Sequence, residues 1–153
     1  MDVKFINPFI NATLNVLETI ASTKAKAGKP YLKNDHVAQG DISGVIGLTG
    51  EVCGTISTSF TENSILAIVS RMFGEEMKEL NDEIKDAVGE IANMISGQAR
   101  QKLEELGRSL KAAIPTVVIG KNHTITHLTK HPVIAIPFST DNGNFTIEVC
   151  FEE

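Results

Sequence analysis

The sequence predicts an α+β fold in which helices, one of them long, pack on a mostly antiparallel sheet of about six strands. Three observations carry this expectation. Three segments place apolar residues at helical spacing, and six short runs are rich in β-branched and apolar residues. Those runs fall into two blocks of three, separated by two of the helices. No Pro- or Ser-rich linker divides the 153 residues, so the chain (1–153) reads as one domain large enough to bury a core.

The first element is a helix over 6–23. Ile6, Ile10, Leu14, Leu17 and Ala21 recur on one face, and Phe9, Val16 and Ile20 widen it. Lys24–Pro30 is a polar connection. Strand-like runs follow at Tyr31–Ala38, Ile42–Leu48 and Val52–Phe60, with Gly40-Asp41 and Thr49-Gly50 as the breaks between them. A second helix spans Glu62 to Phe73, closed by Gly74. The long helix starts after Leu80, with Asn81 as its cap and Asp82 and Glu83 complementing the dipole. It runs to about Leu106, and Gly107 ends it. After Pro115 the β-type runs return at Thr116–Ile119, Val133–Ser139 and Asn144–Glu152, the last two joined by the turn Thr140-Asp141-Asn142-Gly143.

A faint internal repeat accompanies this order. Asn11–Ile20 lines up with Asp86–Ile95, and about three strands follow each copy. Such a repeat implies two similar α+β halves that share a sheet.

Composition narrows the function. A net charge of −5 and a single Tyr with no Trp leave no basic or stacking footprint for nucleic acid. No apolar run reaches the roughly 18–20 residues of a membrane span, and the start Met1–Pro8 lacks the pattern of a secretory signal. Cys53 and Cys150 sit in strand-like runs, as buried free thiols of a cytoplasmic protein do.

The chemistry points to the long helix. At about 100° per residue, Ile84, Val88, Ile91, Ile95, the aliphatic stem of Lys102 and Leu106 form a core stripe. Asp82, Asp86, Glu90, Asn93 and Gly97 fall on the opposite face within an arc of roughly 80°. Two like-charge i,i+4 pairs, Asp82–Asp86 and Asp86–Glu90, each cost about 0.2–0.5 kcal/mol. No Lys or Arg lies three or four residues from Glu90 to relieve them. Gly97 costs about 1 kcal/mol relative to Ala inside a helix and clears space one turn beyond Asn93, as if another backbone approached. By itself, the same pattern also describes a solvated acidic face.

The spacing Asp86-x3-Glu90-x2-Asn93, followed after twenty-one residues by Pro115, resembles the signature of the CheC/CheX/FliY phosphatases of bacterial chemotaxis. With one motif in a short chain it is more similar to the CheX branch, and the order of helices and strands matches throughout. The first half carries Asn11-x3-Asn15-x2-Glu18, with carboxylate and amide exchanged, which reads as a silent copy.

The resemblance implies an enzyme that docks on a phosphorylated CheY-like response regulator and hydrolyses its aspartyl phosphate. Asn93 then orients the attacking water and Glu90 pairs with the receiver's lysine. Asp86 and Gly97 belong to the partner-binding face, and Pro115 shapes the entry to a strand. The chain is expected to need no cofactor of its own, Mg2+ being held by the receiver. A homodimer through sheet edges is expected as well, the run Val133–Phe138 or the terminal strand being the candidates. The alternative from another class is a non-catalytic receiver-binding module of a signalling or flagellar-switch-like complex.

Other constellations carry less. His123, His127 and His131 are four residues apart, but Thr124-Ile125-Thr126 and Pro132 favour extended chain, where that spacing separates side chains by ~13 Å. No metal site is therefore expected. Gly44, Gly47, Gly50 and Gly54 lack the Lys-Ser/Thr of a phosphate-binding loop and read as hairpin glycines. Ser43, Ser57 and Ser59 lack the turn of an activated nucleophile.

Overall fold

A computed structural model describes residues 3–35, 37–125, 127 and 132–152. His131 of the histidine triplet lies outside the described residues, as does His36 within the first expected strand. Among the described residues there are three helices, α1 (Val3–Ala21), α2 (Glu62–Phe73) and α3 (Asp82–Glu105). The strands are β1 (Lys26–Ala27), β2 (Tyr31–Lys33), β3 (Ile42–Gly50), β4 (Gly54–Phe60), β5 (Leu110–Ala112), β6 (Thr116–Ile119), β7 (Val133–Thr140) and β8 (Gly143–Phe151).

The eight strands form one sheet in the order β1-β7-β8-β4-β3-β5, with β2 also on β7 and β6 also on β3, and these pairings are all antiparallel. The order has an approximate two-fold symmetry about the β4–β8 pair. Each half is a helix, two short strands and a long hairpin, as the repeat in the sequence implies. The short strands of each half edge the hairpin of the other.

Two expectations are corrected here. The sheet has eight strands rather than about six, because Lys24–Pro30 and the connection after Gly107 each contribute a short edge strand. The candidates for edge pairing between copies are also wrong. β7 is flanked by β8 on one side and by β1 and β2 on the other, and β8 lies between β4 and β7, so neither has a free edge.

All three helices contribute to a core on one face of the sheet, where Phe9, Leu17, Ile42, Ile46, Ile84, Ile91 and Ile95 are fully buried. The Phe138 and Phe145 rings stack across β7 and β8 with centroids 4.9 Å apart. Caps follow the sequence: Asn81 Oδ1 accepts from the Ile84 N–H at 3.1 Å, and Gly74 takes the left-handed conformation that ends α2, with φ 68°.

The core stripe of α3 departs from expectation at its C-terminal end. Lys102 is solvent-exposed and pairs with Glu105 at 3.1 Å, and Leu106 is exposed. Ala99 and Leu103 are buried in their place. The last turns of α3 approach α1 and the end of β8, where Leu103 lines a mostly apolar cleft with Phe5, Leu110 and Phe151.

The face of the sheet away from the helices is polar yet buried: Ser43, Thr55, Ser57, Ser59 and Glu148 are all covered. Chain that follows β2 and β6 lies over it, joined by the Ala38 N–H to the His123 carbonyl at 2.8 Å and by the Val37–Thr124 bridge.

Candidate functional site

Small residues seat α3 on the sheet. Gly44 of β3 lies under the helix so closely that a Cβ there would stand 3.1 Å from the Ala92 Cβ and 3.2 Å from the Val88 Cγ1. Gly89 is buried against the other flank, where a Cβ would contact Val117 Cγ2 at 3.7 Å and Pro115 Cγ at 3.8 Å. Pro115 therefore does more than open β6: its ring packs beside the helix turn that carries Glu90.

Asp82, Asp86, Glu90 and Asn93 are all exposed on the outward face of α3. Glu90 and Asn93 are i,i+3 neighbours with Cβ atoms about 5–6 Å apart. Among the described residues, neither side chain has a hydrogen-bond or ion-pair partner. The carboxylates of Asp82, Asp86 and Glu90 likewise have no cation in contact. Their field therefore faces outward, and little from within the chain holds it down.

The site is a ridge with two flanks. On one side α1 packs against α3, with the Asn15 amide donating to Gln98 Oε1 at 2.8 Å. Pro115 and β6 form the other. Gly97 is half-buried, and the nearest atom to a Cβ built there is Arg100 Nη2 at 4.0 Å. No backbone of the described chain approaches it, so the space it clears opens outward. The apolar cleft at Phe5 and Leu103 lies near the far end of α3 and has no part in this ridge.

In the first half Asn11, Asn15 and Glu18 are exposed on α1. The Asn15 amide is already engaged with Gln98, which leaves it poorly placed to hold a water.

The described histidines do not converge. His123 Nε2 is 2.6 Å from Ser43 Oγ and its Nδ1 is 2.5 Å from the Gly120 carbonyl. His127 Nε2 instead meets Glu148 Oε1 at 3.1 Å. Among the described residues no group of three His, Cys, Asp or Glu is placed to hold a metal.

Sequence reasoning missed the cluster around Glu148. Lys33 Nζ donates to Glu148 Oε2 at 2.7 Å and also to the Val37 carbonyl. Burial pushes the Glu148 carboxyl up, but hydrogen bonds from His127 and Lys33 and their charges outweigh it and hold the group below its ordinary value. The Tyr31 hydroxyl moves the other way, raised by burial and by the charges of Glu148 and Asp35. In the alternating run Phe145–Phe151, Glu148 occupies a position that usually faces water, so only the covering chain reveals its burial.

The chain has counterparts among known proteins. The model of the chemotaxis phosphatase CheX family matches residues 42–139. The chain belongs to that family. CheY-P phosphatase CheX of Thermotoga maritima is 32% identical over 123 residues, which cover 80% of this chain and 79% of that protein. A CheC-like superfamily protein from Shewanella sp. PV-4 is 45% identical, with a TM-score of 0.94 and complete coverage of both chains. A CheX from Borrelia burgdorferi, crystallised with CheY, BeF3 and Mg2+, is 25% identical with a TM-score of 0.83, covering 97% of this chain and 98% of that one. Among the described residues no helix is long and apolar enough to cross a membrane.

Proposed function

We propose that this chain is a cytoplasmic CheY-P-type phosphatase that hydrolyses the aspartyl phosphate of a response-regulator receiver. One observation carries the reading: Glu90 and Asn93 stand exposed and unpartnered among the described residues, on the outward face of a helix braced from behind, in a chain of the CheX family.

The chemistry needs little more from this side. Phosphoryl transfer asks mainly for positioning and charge stabilisation. The Asn93 amide offers both a donor and an acceptor to one water without adding negative charge near the phosphate. Glu90 attracts the receiver's lysine and fixes the register of docking, so that the water lies in line with the bond to be broken. Asp82 and Asp86 add to the attraction for a cationic site. In this scheme Mg2+ and the lysine belong to the receiver. A homodimer through a sheet edge would use β1 and β2, the edge away from the acidic ridge.

The test is phosphate loss from a phosphorylated CheY-type receiver with and without this protein. Acceleration that Asn93→Ala abolishes supports the proposal. Binding without acceleration by the wild type would leave a docking module in place of an enzyme.

A further inference from the structure

The acidic ridge of α3 is bordered by side chains that the proposed chemistry does not use. Ile114 is 90% exposed, the highest value among the exposed large apolar residues, and Ile119, at the other end of β6, is 42% exposed. Between them Pro115 and Val117 are half-buried, and both pack beside Gly89, the neighbour of Glu90. β6 pairs with β3 alone, so this apolar strip runs along a sheet edge at the flank of the site. Single exposed apolar residues are common and mean nothing singly. Here their position is informative, because Pro115 joins Ile114 directly to the helix turn that bears Glu90.

A ridge of carboxylates and one amide steers a cationic partner but supplies little binding energy at its exposed charges. Stable recognition takes apolar anchors near the reacting groups, ringed by polar contacts. We infer that Ile114, supported by Pro115 and Ile119, is the apolar anchor on which the phosphorylated receiver seats, holding it against Glu90 and Asn93. The inference rests on the proposed function for the identity of the partner. The charge of the ridge and its continuity with the strip select a protein with a cationic, phosphate-bearing site beside an apolar patch. A second copy of this chain would bring the same acidic ridge and be repelled.

The experiment uses the full-length protein and a CheY-type receiver, either phosphorylated for kinetics or loaded with beryllofluoride and Mg2+ for binding. Ile114→Ser is expected to raise the KM for the phosphorylated receiver and the Kd for the loaded receiver about tenfold or more, with kcat within twofold of wild type. Ile114→Val should restore most of the loss. Leu32→Ser, on the opposite sheet edge and 62% exposed, should leave KM and Kd unchanged. Unaltered melting temperatures establish that each variant is folded. The inference is overturned if Ile114→Ser binds and turns over like wild type, or if Leu32→Ser loses as much. If wild type binds the loaded receiver without accelerating phosphate loss, the phosphatase reading fails while the Kd values still decide the anchor. If wild type neither binds nor accelerates, both fall.

Discussion

Gly44 and Ala92 meet across the interface between β3 and α3 so closely that a methyl added at Gly44 would stand 3.1 Å from the Ala92 Cβ, tighter than ordinary van der Waals contact. The contact lies behind Asn93, one residue along the helix, and it sets the height at which the outward face of α3 stands above the sheet. Filling it should be costly. Gly44→Val is expected to lower stability by about 1–3 kcal/mol through overpacking, read from urea unfolding, and to slow receiver dephosphorylation more than it weakens receiver binding. Unchanged stability would show that the helix sits less tightly than the distances state.

Asn93→Ala and Glu90→Ala should separate by kinetics. If Asn93 holds the water as proposed, removing its amide is expected to lower kcat by about a hundredfold with the Kd for a beryllofluoride-loaded receiver within threefold of wild type. Removing Glu90 should weaken that binding and steepen the loss at low receiver concentration. Equal effects on both parameters from both variants would contradict the division of roles.

Gly97 gives a test in which stability and function move in opposite directions. With open space around it, Gly97→Ala should stabilise the protein by about 1 kcal/mol through helix propensity alone. Gly97→Phe fits the same space in the free protein and should still fold, but it should reduce receiver affinity by obstructing the approach beyond Asn93. A Gly97→Phe variant with full affinity would remove this turn from the docking surface.

The Glu148 cluster predicts acid sensitivity. A carboxyl held below its ordinary value in the folded chain contributes stability that is complete above the unfolded value, 4.5, and is lost as pH falls through the lower folded value. Unfolding free energy should therefore drop below about pH 4.5 more steeply in wild type than in Glu148→Gln. At neutral pH, Lys33→Met, which leaves the buried carboxylate with His127 alone, should cost about 3–5 kcal/mol. Parallel pH profiles for wild type and Glu148→Gln would show that the pair is not coupled to folding.

The parts of the fold with strong periodicity were legible in the sequence. Ile84, Val88, Ile91 and Ile95 on α3, the Asn81 and Gly74 caps, and the long strands β3, β4, β7 and β8 all lie where spacing and turn residues place them. β1, β2 and β5 were not fully legible because two or three residues carry no period, and they exist by pairing with hairpins distant in sequence. Glu90 and Asn93 were legible as neighbours on one face. Their lack of partners among the described residues was not, since that depends on what α1 and β6 bring alongside. Lys102 was misread because its angle fits the stripe but the helix has by then left the centre of the sheet. Glu148 was overlooked because alternation cannot tell which face of a sheet is later covered.

The exchange of edge strands between the halves also governs how the molecule comes into being. β8 stands at the middle of the sheet but leaves the ribosome after both of its neighbours, β4 and β7. Until it arrives, β4 has one open side and the hairpin of the second half is incomplete. Helix α3 is synthesised well before then, yet the surface that braces it is unfinished. An arrested chain ending before Gly143 should accordingly expose unpaired strand edges, and it should be a client for chaperones rather than a partially working enzyme.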